Sequence, residues 1–458
     1  MIALYLLCGL GFISLIAELA NLKKGLTAFI TIGLIAAAIL VAMDWNSAIY
    51  YFNDMVVFDN FSIAFTTLII VISVFWFWMA RDYFREQAHQ TDRSALILFA
   101  MVGAVIMVSF NNMTMLFLGI EILSISLYVL AGSNKESLFS NEAAFKYFLM
   151  GSFATGFLLM GMALIYGATG SFHITRISDS VVNNLNELPA FFFAGVLLML
   201  VGMAFKISAV PFHFWAPDVY EGSPVTITAF MSTVVKIAAI AAFYRIFSFC
   251  FSSVQSTWII ILQVITVMTL VVPNVTAVYQ INVKRMLAYS SVGHVGYILL
   301  AFVANSTNSA GTIFYYLASY SVTSIAAFSV LHEVEKANVS QSGFDGLYKR
   351  NPFLAVVMTV ALLSLAGIPP LAGFFGKYMV FAQALQHGYA GMVIVAVVTS
   401  LIGVYYYFRI IIVMYLKVPE GQAIFLSVSS GALMSLLVLF TVLMGLFPDW
   451  LISLLTPK

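Results

Sequence analysis

Long apolar runs recur along the whole sequence, and they constrain its fold more than any other feature. Each run covers roughly 18 to 25 residues, which is the helix length needed to cross about 30 Å of hydrocarbon. Only 9% of the 458 residues are charged and 62% are hydrophobic, and a water-soluble domain of this size could not cover its surface with so few charges. The sequence therefore predicts an all-α polytopic protein embedded in the lipid bilayer.

About fourteen such spans are predicted from the apolar runs. Their approximate extents are 2–20, 26–43, 61–80, 94–111, 113–131, 144–168, 190–211, 225–249, 257–279, 286–304, 311–331, 352–386, 390–416 and 424–449. The run at 352–386 is too long for one straight crossing. No basic segment precedes the first span, so we expect that span to be retained and not cleaved as a signal peptide.

Basic residues in the connections predict the orientation, because cytoplasmic loops carry an excess of lysine and arginine. The connections after odd-numbered spans hold Lys23, Lys24, Arg81, Arg85, Arg93, Lys135, Lys146, Lys284, Arg285, Lys336, Lys349, Arg350 and Lys417. The opposite side holds only Arg176, Arg245 and Lys458. We therefore expect a multi-pass protein of the inner (plasma) membrane with both termini in the periplasm.

Two predicted spans are interrupted by proline in a similar way. The seventh span contains Pro211, and the twelfth contains Pro369 and Pro370; proline removes a backbone hydrogen bond from a helix. Lipid cannot satisfy the carbonyl groups exposed by such a break, so each break belongs in the protein interior or in a hydrated cavity. Proline kinks are common in membrane helices, but paired breaks are typical of transporters with inverted repeats.

The repeat divides the chain into four predicted segments. Spans four to eight and nine to thirteen form two five-helix repeats of opposite orientation, and similar stretches at 147–153 and 314–320 support this alignment. The segments are an N-terminal three-helix segment at 1–93, a first repeat at 94–249, a second, inverted repeat at 257–416 and a C-terminal helix at 417–458.

Four ionisable residues are predicted near the middle of the membrane. Glu121 is in the fifth span, Lys206 in the seventh, Lys236 in the eighth and Lys377 in the twelfth. Each costs several kcal/mol in hydrocarbon unless it is paired or hydrated. Static ion pairs are the alternative interpretation, but three lysines would have to share one carboxylate.

A proton relay is the interpretation that we favour for these four residues. Desolvation disfavours the charged form of a lysine, and a nearby carboxylate favours it. A buried lysine can therefore take up and release a proton, and movement of Glu121 toward or away from Lys206 would switch its proton affinity.

His294, in the tenth span, is a weaker candidate. It could connect proton pathways between Lys236 and Lys377, and a neutral, hydrogen-bonded packing histidine is an equally good interpretation. Glu142 and Lys146 lie one helical turn apart at the start of the sixth span, where a local ion pair is the simpler interpretation.

No cofactor motif is recognisable in the sequence. The two cysteines, Cys8 and Cys250, are far apart, and there is no P-loop and no dinucleotide-binding motif, so we predict no iron–sulfur, haem, nucleotide or metal site in this chain. The net charge of +1 gives no information on nucleic acid, but the sequence has no basic patch, so we expect no nucleic-acid partner.

Three motifs indicate the family that this sequence resembles. Residues 206–224 read KISAVPFHFWAPDVYEGSP, residues 367–377 read GIPPLAGFFGK, and residues 141–148 read NEAAFKYF. All three are similar to motifs of subunit N (subunit 2) of proton-pumping NADH:quinone oxidoreductase, respiratory complex I. The motif around Pro211 is long and specific, and the resemblance extends over nearly the whole chain.

The resemblance implies a fourteen-helix, antiporter-like subunit that translocates protons beside other membrane-arm subunits of complex I. It implies no cofactor in this chain, with NADH, FMN, iron–sulfur clusters and quinone bound by partner subunits. The proton-pathway positions of the family, one glutamate and three lysines, fall on Glu121, Lys206, Lys236 and Lys377. Lysines at the last two of these positions favour subunit N over the sister subunits M and L.

Two alternatives remain open on the sequence alone. A subunit of a multi-subunit sodium/proton antiporter would have similar spans, and co-purification with an NADH-oxidising peripheral arm distinguishes the two. A structural membrane scaffold would use its buried charges only to fix helix register, and its lysine variants would lose assembly while retaining full pumping.

Overall fold

The computed structural model describes residues 1–19, 25–85, 90–185, 187–337, 343–419 and 422–455. Within these ranges, twelve helices are long and apolar enough to cross a membrane, and the shorter apolar helices Ala190–Lys206 and Pro352–Ala366 lie at the two predicted breaks. The all-α polytopic architecture is therefore confirmed, whereas the count of fourteen spans and the inverted repeat stay predictions. Among the basic residues used for orientation, Lys23, Lys24 and Lys458 lie outside the described residues.

The chain forms two compact units, one of Met1–Trp215 with Val234–Val264 and one of Ala216–Thr233 with Ile265–Lys458. The elements up to the first break are α1 Ile2–Leu19, α2 Leu26–Met43, β1 Ile49–Tyr51, β2 Val56–Phe58, α3 Asn60–Met79, α4 Arg81–Arg85, α5 Gln90–Ser109, α6 Met113–Ala131, α7 Leu138–Thr169, α8 Ile174–Asn183 and α9 Ala190–Lys206. The later elements are α10 Trp215–Gly222, α11 Val225–Ser232, α12 Val234–Arg245, α13 Gln255–Val278, α14 Val283–Ala304, α15 Ser309–Lys336, α16 Leu347–Arg350, α17 Pro352–Ala366, α18 Ala372–Gln386, α19 Ala390–Leu416, α20 Val428–Leu446 and α21 Asp449–Ile452. The strands β1 and β2 pair as an antiparallel hairpin that the sequence did not predict.

Helices of the first unit approach one another closely where glycines face each other. A Cβ at Gly161 of α7 would lie 2.8 Å from the carbonyl oxygen of Gly195 in α9, and a Cβ at Gly195 would lie 2.9 Å from that of Gly161. Gly103 of α5 and Gly119 of α6 form a second crossing of this kind. Small residues at such crossings let membrane helices pack backbone to backbone, and the second crossing fixes the helix that carries Glu121.

An ion pair between the buried Arg245 and the partly exposed Asp59 anchors α12 to the start of α3 in the first unit. The Arg245 guanidinium donates to both carboxylate oxygens of Asp59, at 3.3 and 3.0 Å, and to the Ser62 hydroxyl at 2.9 Å. Asp59 also accepts from the backbone N–H of Ser62 and so caps α3. Helix α12 carries Lys236 near its start, and its end is therefore held by charge-assisted hydrogen bonds.

The break of the seventh predicted span begins before its proline. Helix α9 ends at Lys206, five positions before Pro211, and not at the predicted residue 211. Ser208 has a left-handed backbone with φ of 60°, and the Val210–Pro211 peptide bond is cis. The backbone departs from the helix at Ile207 and Ser208, so Lys206 stands at a helix end.

The eighth predicted span is present but is interrupted at a position that has no proline. Helix α11 ends at Ser232, Thr233 takes a non-helical conformation, and α12 begins at Val234. The Thr233 hydroxyl donates to the Ala229 carbonyl at 2.6 Å, a bond from a side chain to the preceding turn that often bends membrane helices. A five-residue π-helix, Ile246–Cys250, follows α12.

The segment 216–233 packs within the second unit, although the predicted repeat boundaries place it in the first repeat. Arg285 of α14 donates to Asp218 at 2.9 Å and to Glu221 at 2.6 Å. Lys284, the adjacent residue, donates to the Ser223 carbonyl at 2.5 Å. These bonds hold α10 against the start of α14.

The break of the twelfth predicted span lies in the second unit. Helix α17 ends at Ala366, Gly367 adopts a left-handed φ of 85°, and α18 begins at Ala372. The Pro369–Pro370 bond is cis. A Cβ at Gly445 of α20 would lie 2.0 Å from the Pro370 carbonyl oxygen, so the broken segment is covered by protein backbone.

Candidate functional site

Lys206 is buried in the first unit and is bonded to a neutral side chain. It is 8% exposed, and its Nζ donates to the Ser124 hydroxyl of α6 at 2.6 Å. The Ser124 hydroxyl in turn donates to the Ile120 carbonyl of its own helix. The lysine at the end of α9 thus reaches α6 through a hydroxyl group.

Glu121 lies one turn before Ser124 on the same helix. Its carboxylate accepts a hydrogen bond from the Thr155 hydroxyl of α7 at 2.9 Å, and it is close enough to Lys206 to interact with the ammonium electrostatically. The direct partner of Lys206 is Ser124, not Glu121. The structure therefore brings the predicted pair together without a direct salt bridge.

Tyr128 completes one face of α6 beside this pair. Glu121, Ser124 and Tyr128 follow a spacing of three and four residues, which places them on one side of a helix. The ring of Tyr128 packs edge-on against Tyr147 of α7 at 4.8 Å between centroids. Sequence reasoning did not single out Ser124, Thr155 or Tyr128, although the helical spacing from Glu121 was available as a signal.

Gly151→Ala is expected to impair the proton pumping that the sequence resemblance implies, without preventing assembly. An added Cβ at this position of α7 would lie 2.1 Å from the Tyr128 hydroxyl oxygen, so the tyrosine must move away from the Glu121 face. Gly156→Ala is the matched control on the same helix, because nothing lies within 4 Å of its added Cβ. Proton pumping, the activity that the sequence resemblance implies, is measured for both variants in membrane vesicles. Equal pumping in both variants would show that the position of Tyr128 is unimportant.

The Phe205 carbonyl, in the last turn of α9 before the first break, has a side-chain donor as well as the Ser208 backbone N–H. The indole N–H of Trp215 donates to the Phe205 carbonyl at 3.1 Å, and the Trp215 ring stacks on Tyr147 at 4.7 Å between centroids. Both Phe205 and Trp215 are buried. The backbone beside Pro211 is thus satisfied by protein, as a break at membrane depth requires.

Lys236 is also buried in the first unit, with 4% of its surface exposed. It is the third residue of α12 and lies three positions after the interruption at Thr233. Every residue of this helix is buried. The second relay lysine of the sequence prediction therefore also stands beside a break in its helix.

Lys377 is in the second unit and folds back onto the break that precedes it. Its Nζ donates to the Ala366 carbonyl and to the Ser400 hydroxyl, each at 2.9 Å. A Cβ at Gly367 would lie 2.9 Å from the lysine Cδ, so only glycine leaves room for this side chain. The ammonium of Lys377 thus satisfies the carbonyl that ends α17.

His294 lies in the second unit in a group of tyrosines. Its Nδ1 is 2.8 Å from the Tyr316 hydroxyl, and its Nε2 is 3.3 Å from the Tyr407 hydroxyl. Lys377 is 4.9 Å from the ring centroid of Tyr297. His294 and Lys377 therefore belong to one polar region of this unit, whereas Glu121, Lys206 and Lys236 belong to the first unit.

Known proteins with similar sequences agree on one family. Residues 110–403 match the family model of the NADH:quinone oxidoreductase/Mrp antiporter transmembrane region. The chain is 45% identical to NADH-quinone oxidoreductase subunit N of Cytophaga hutchinsonii, over 99% of each chain.

Solved structures show the same fold. The chain resembles a subunit in the structure of respiratory complex I from Thermus thermophilus with bound aureothin, with a TM-score of 0.83, 29% identity and 98% of each chain covered. It also resembles a subunit of the Mrp complex from Dietzia sp., with a TM-score of 0.86, 22% identity, and 99% of this chain and 94% of that chain covered; this second likeness shows the fold alone. The chain therefore belongs to the subunit N family of NADH-quinone oxidoreductase, within the wider group of NADH:quinone oxidoreductase and Mrp antiporter membrane subunits.

Proposed function

We propose that this membrane-arm subunit of NADH-quinone oxidoreductase translocates protons through Glu121, Lys206, Lys236 and Lys377, with His294 as a further relay group. The observation that carries the proposal is the arrangement at Lys206. The buried Lys206 ammonium of α9 is hydrogen-bonded to the neutral Ser124 hydroxyl of α6. The carboxylate that interacts with this ammonium, that of Glu121, lies one turn before Ser124 on α6. Such a lysine can change its protonation state without first breaking a direct ion pair.

The chemistry at each lysine is a proton exchange without electron transfer. An N–H bond of the ammonium breaks, the electron pair remains on nitrogen, and a new O–H or N–H bond forms on the acceptor. Burial disfavours the charged ammonium and a nearby carboxylate favours it. A shift of Glu121 relative to Lys206 would therefore change which form of the lysine is stable.

The two proline breaks support this role. At the second break the Lys377 ammonium donates to the Ala366 carbonyl. Just before the first break the Trp215 indole adds a donor to the Phe205 carbonyl, which also accepts from the Ser208 backbone N–H. When Lys377 loses its proton it becomes a neutral amine with two N–H groups, so it can still donate to a carbonyl. The break at Pro369 and Pro370 thus tolerates both protonation states of the lysine.

The proposal extends to the partners and the orientation of the chain. Other membrane-arm subunits are its neighbours, and the NADH, FMN, iron–sulfur and quinone chemistry is located on partner subunits. The excess of basic residues in the connections after odd-numbered spans supports an orientation with both termini in the periplasm. Protons would then be taken up on the side that carries the basic loops and be released on the opposite side.

Lys377→Gln separates the proton role of this residue from a purely structural one. The amide keeps an N–H donor for the Ala366 carbonyl but cannot carry the transferred proton. We expect assembly to be retained and NADH-driven pumping to be lost, as in Lys377→Ala. The measurement is acidification by membrane vesicles, with the amount of assembled complex determined on native gels. Normal pumping in the glutamine variant would assign Lys377 a structural role and remove it from the relay.

A further inference from the structure

A pocket of about 240 Å³ lies in the second unit, where three connections of the chain come together. It is formed by the link from α13 to α14 with the start of α14, by the loop before α16, and by the C-terminal part of α19. These are the connections after the ninth, eleventh and thirteenth predicted spans, and all three are on the side with the excess of basic residues. The pocket is therefore at the predicted cytoplasmic edge of the membrane.

The lining of this pocket combines charged groups with apolar surface. Its charged members are Asp345, Arg409 and Lys417. The other lining side chains are mostly apolar, among them Ile281 and Phe344. A small number of polar groups in an otherwise apolar pocket is typical of a ligand site. This lining fits a molecule that has one charged part and one apolar part.

Arg409 is a cation inside a predicted span. Its guanidinium donates to the Val278 carbonyl at 2.6 Å and to the Gln280 carbonyl, which satisfies backbone acceptors at and beyond the end of α13. Among the described residues, no carboxylate forms an ion pair with it. Carbonyl groups carry no net charge, so the positive charge of Arg409 is not balanced. A guanidinium has five N–H groups, and capping of α13 uses only two of them.

Lys417 adds a second cation to the same pocket. Its exposed ammonium donates to Asp345 Oδ2 at 3.0 Å, and Asp345 itself is buried. The Asp345 carboxylate balances one of the two cations, so the charged side chains of the lining leave one positive charge in excess. The pocket therefore favours an anion.

An apolar face of α19 continues from the pocket into the predicted span. Large side chains on this face are exposed and follow a spacing of three and four residues, which places them on one side of the helix; they are Leu401, Tyr405, Phe408, Ile412 and Leu416. Arg409 directly follows Phe408, so the cation is at the border between this face and the pocket. An anionic group in the pocket would thus be continuous with apolar surface along α19.

We propose that the pocket binds the headgroup phosphate of an anionic phospholipid, with Arg409 and Lys417 as donors and the acyl chains along the apolar face of α19. Basic pockets between membrane helices on the cytoplasmic side recognise acidic headgroups in this way. A charge within a span is costly unless it is paired or hydrated, and the phosphate supplies the counter-charge that Arg409 lacks. The lipid site does not depend on the proton relay.

The test uses the complete NADH-quinone oxidoreductase in phosphatidylcholine liposomes that contain a small fraction of phosphatidylglycerol with a photoreactive diazirine near its headgroup. We expect irradiation to crosslink this probe to peptides that contain Ile281 or Arg409. A phosphatidylcholine probe with the same diazirine should label these peptides much less. Equal labelling by the two probes would overturn the proposal. Absence of labelling by the anionic probe, as when a neighbouring subunit covers the pocket, would also overturn it.

Two substitutions in the pocket should change the labelling in opposite directions. Arg409→Gln should lower labelling by the phosphatidylglycerol probe about fivefold, the contribution of one basic side chain near an anionic membrane surface. Asp345→Asn removes the carboxylate that competes for Lys417, and it should raise the labelling. Lys349→Gln is the matched control, because this lysine of α16 is exposed and is not part of the pocket lining.

The control variant should be labelled like the wild-type protein. Unchanged labelling in an assembled pocket variant would overturn the proposal, and so would an equal decrease in Lys349→Gln and Arg409→Gln. If Arg409→Gln does not assemble because the cap of α13 is lost, Asp345→Asn decides.

Inorganic phosphate distinguishes a lipid headgroup from a free anion of the same chemistry. Excess phosphate, compared with sodium chloride of equal ionic strength, should leave the labelling unchanged because it has no apolar part. Unlabelled phosphatidylglycerol should compete with the probe. Loss of labelling with inorganic phosphate alone would assign the pocket to a free anion and overturn the lipid site.

Discussion

Lys206→Arg is expected to lower NADH-driven proton pumping at least roughly tenfold, since positioned proton donors and acceptors typically contribute factors of about 100 or more. Arginine retains the positive charge and can still donate to the Ser124 hydroxyl, the partner of the lysine. It effectively never releases its proton in a protein. A residue that only fixed helix register would tolerate this substitution, so the arginine variant separates the two roles.

Lys206→Ala should give the same loss in a complex that still assembles. Lys135→Arg is the matched control, because this lysine is exposed in the loop between α6 and α7, and it should pump like the wild-type protein. Acidification and quinone reduction are measured in the same vesicles, with assembly determined on native gels. An assembled arginine variant that pumps normally would rule out proton release from Lys206.

Glu121→Gln is expected to slow coupled turnover several-fold. It removes the negative charge that acts on Lys206 from the turn of α6 before Ser124. The amide oxygen of glutamine can still accept the hydrogen bond from Thr155, so the local structure should be retained. Glu121→Asp keeps the charge and should retain part of the activity. Quinone reduction and proton pumping are measured together, because loss of the electrostatic effect of Glu121 on Lys206 is expected to slow both.

A double variant shows whether Glu121 acts through Lys206. If it does, Glu121→Gln combined with Lys206→Ala should be no worse than Lys206→Ala alone, since coupled residues are not additive. Glu142→Gln is the control, because Glu142 forms an exposed pair with Lys146 at 2.7 Å and such pairs contribute little. Additive losses in the double variant would separate Glu121 from Lys206.

Much of the architecture followed from local properties of the sequence. The length of an apolar run decides whether a helix can cross the bilayer. Proline removes a backbone hydrogen bond and so favours a break, although α13 continues through Pro273. The spans around Glu121 and Lys377 and the presence of both proline breaks were therefore predictable. The four charged residues inside apolar runs were also recognisable, because a charge in hydrocarbon is costly unless it is paired or hydrated.

Other boundaries depended on contacts that no local pattern encodes. Helix α9 ends at Lys206 and not at Pro211, and α11 ends before Thr233 without any proline. The segment 216–233 packs in the second unit because Arg285, distant in sequence, binds Asp218 and Glu221. These features arise from partners that meet only in the folded chain.

The partners of the proposed relay residues show most clearly which features the sequence predicts and which only the folded chain determines. The sequence by itself determined which residues carry a charge into the membrane: Glu121 and the three lysines. Only the tertiary structure decided that Lys206 bonds to Ser124 and that Lys377 returns to the Ala366 carbonyl. Serine, threonine and tyrosine occur throughout these helices, and many of their hydroxyls bond to their own backbone, so their identity does not mark a partner. The rotation and close packing of the helices select the few hydroxyls that face a buried charge.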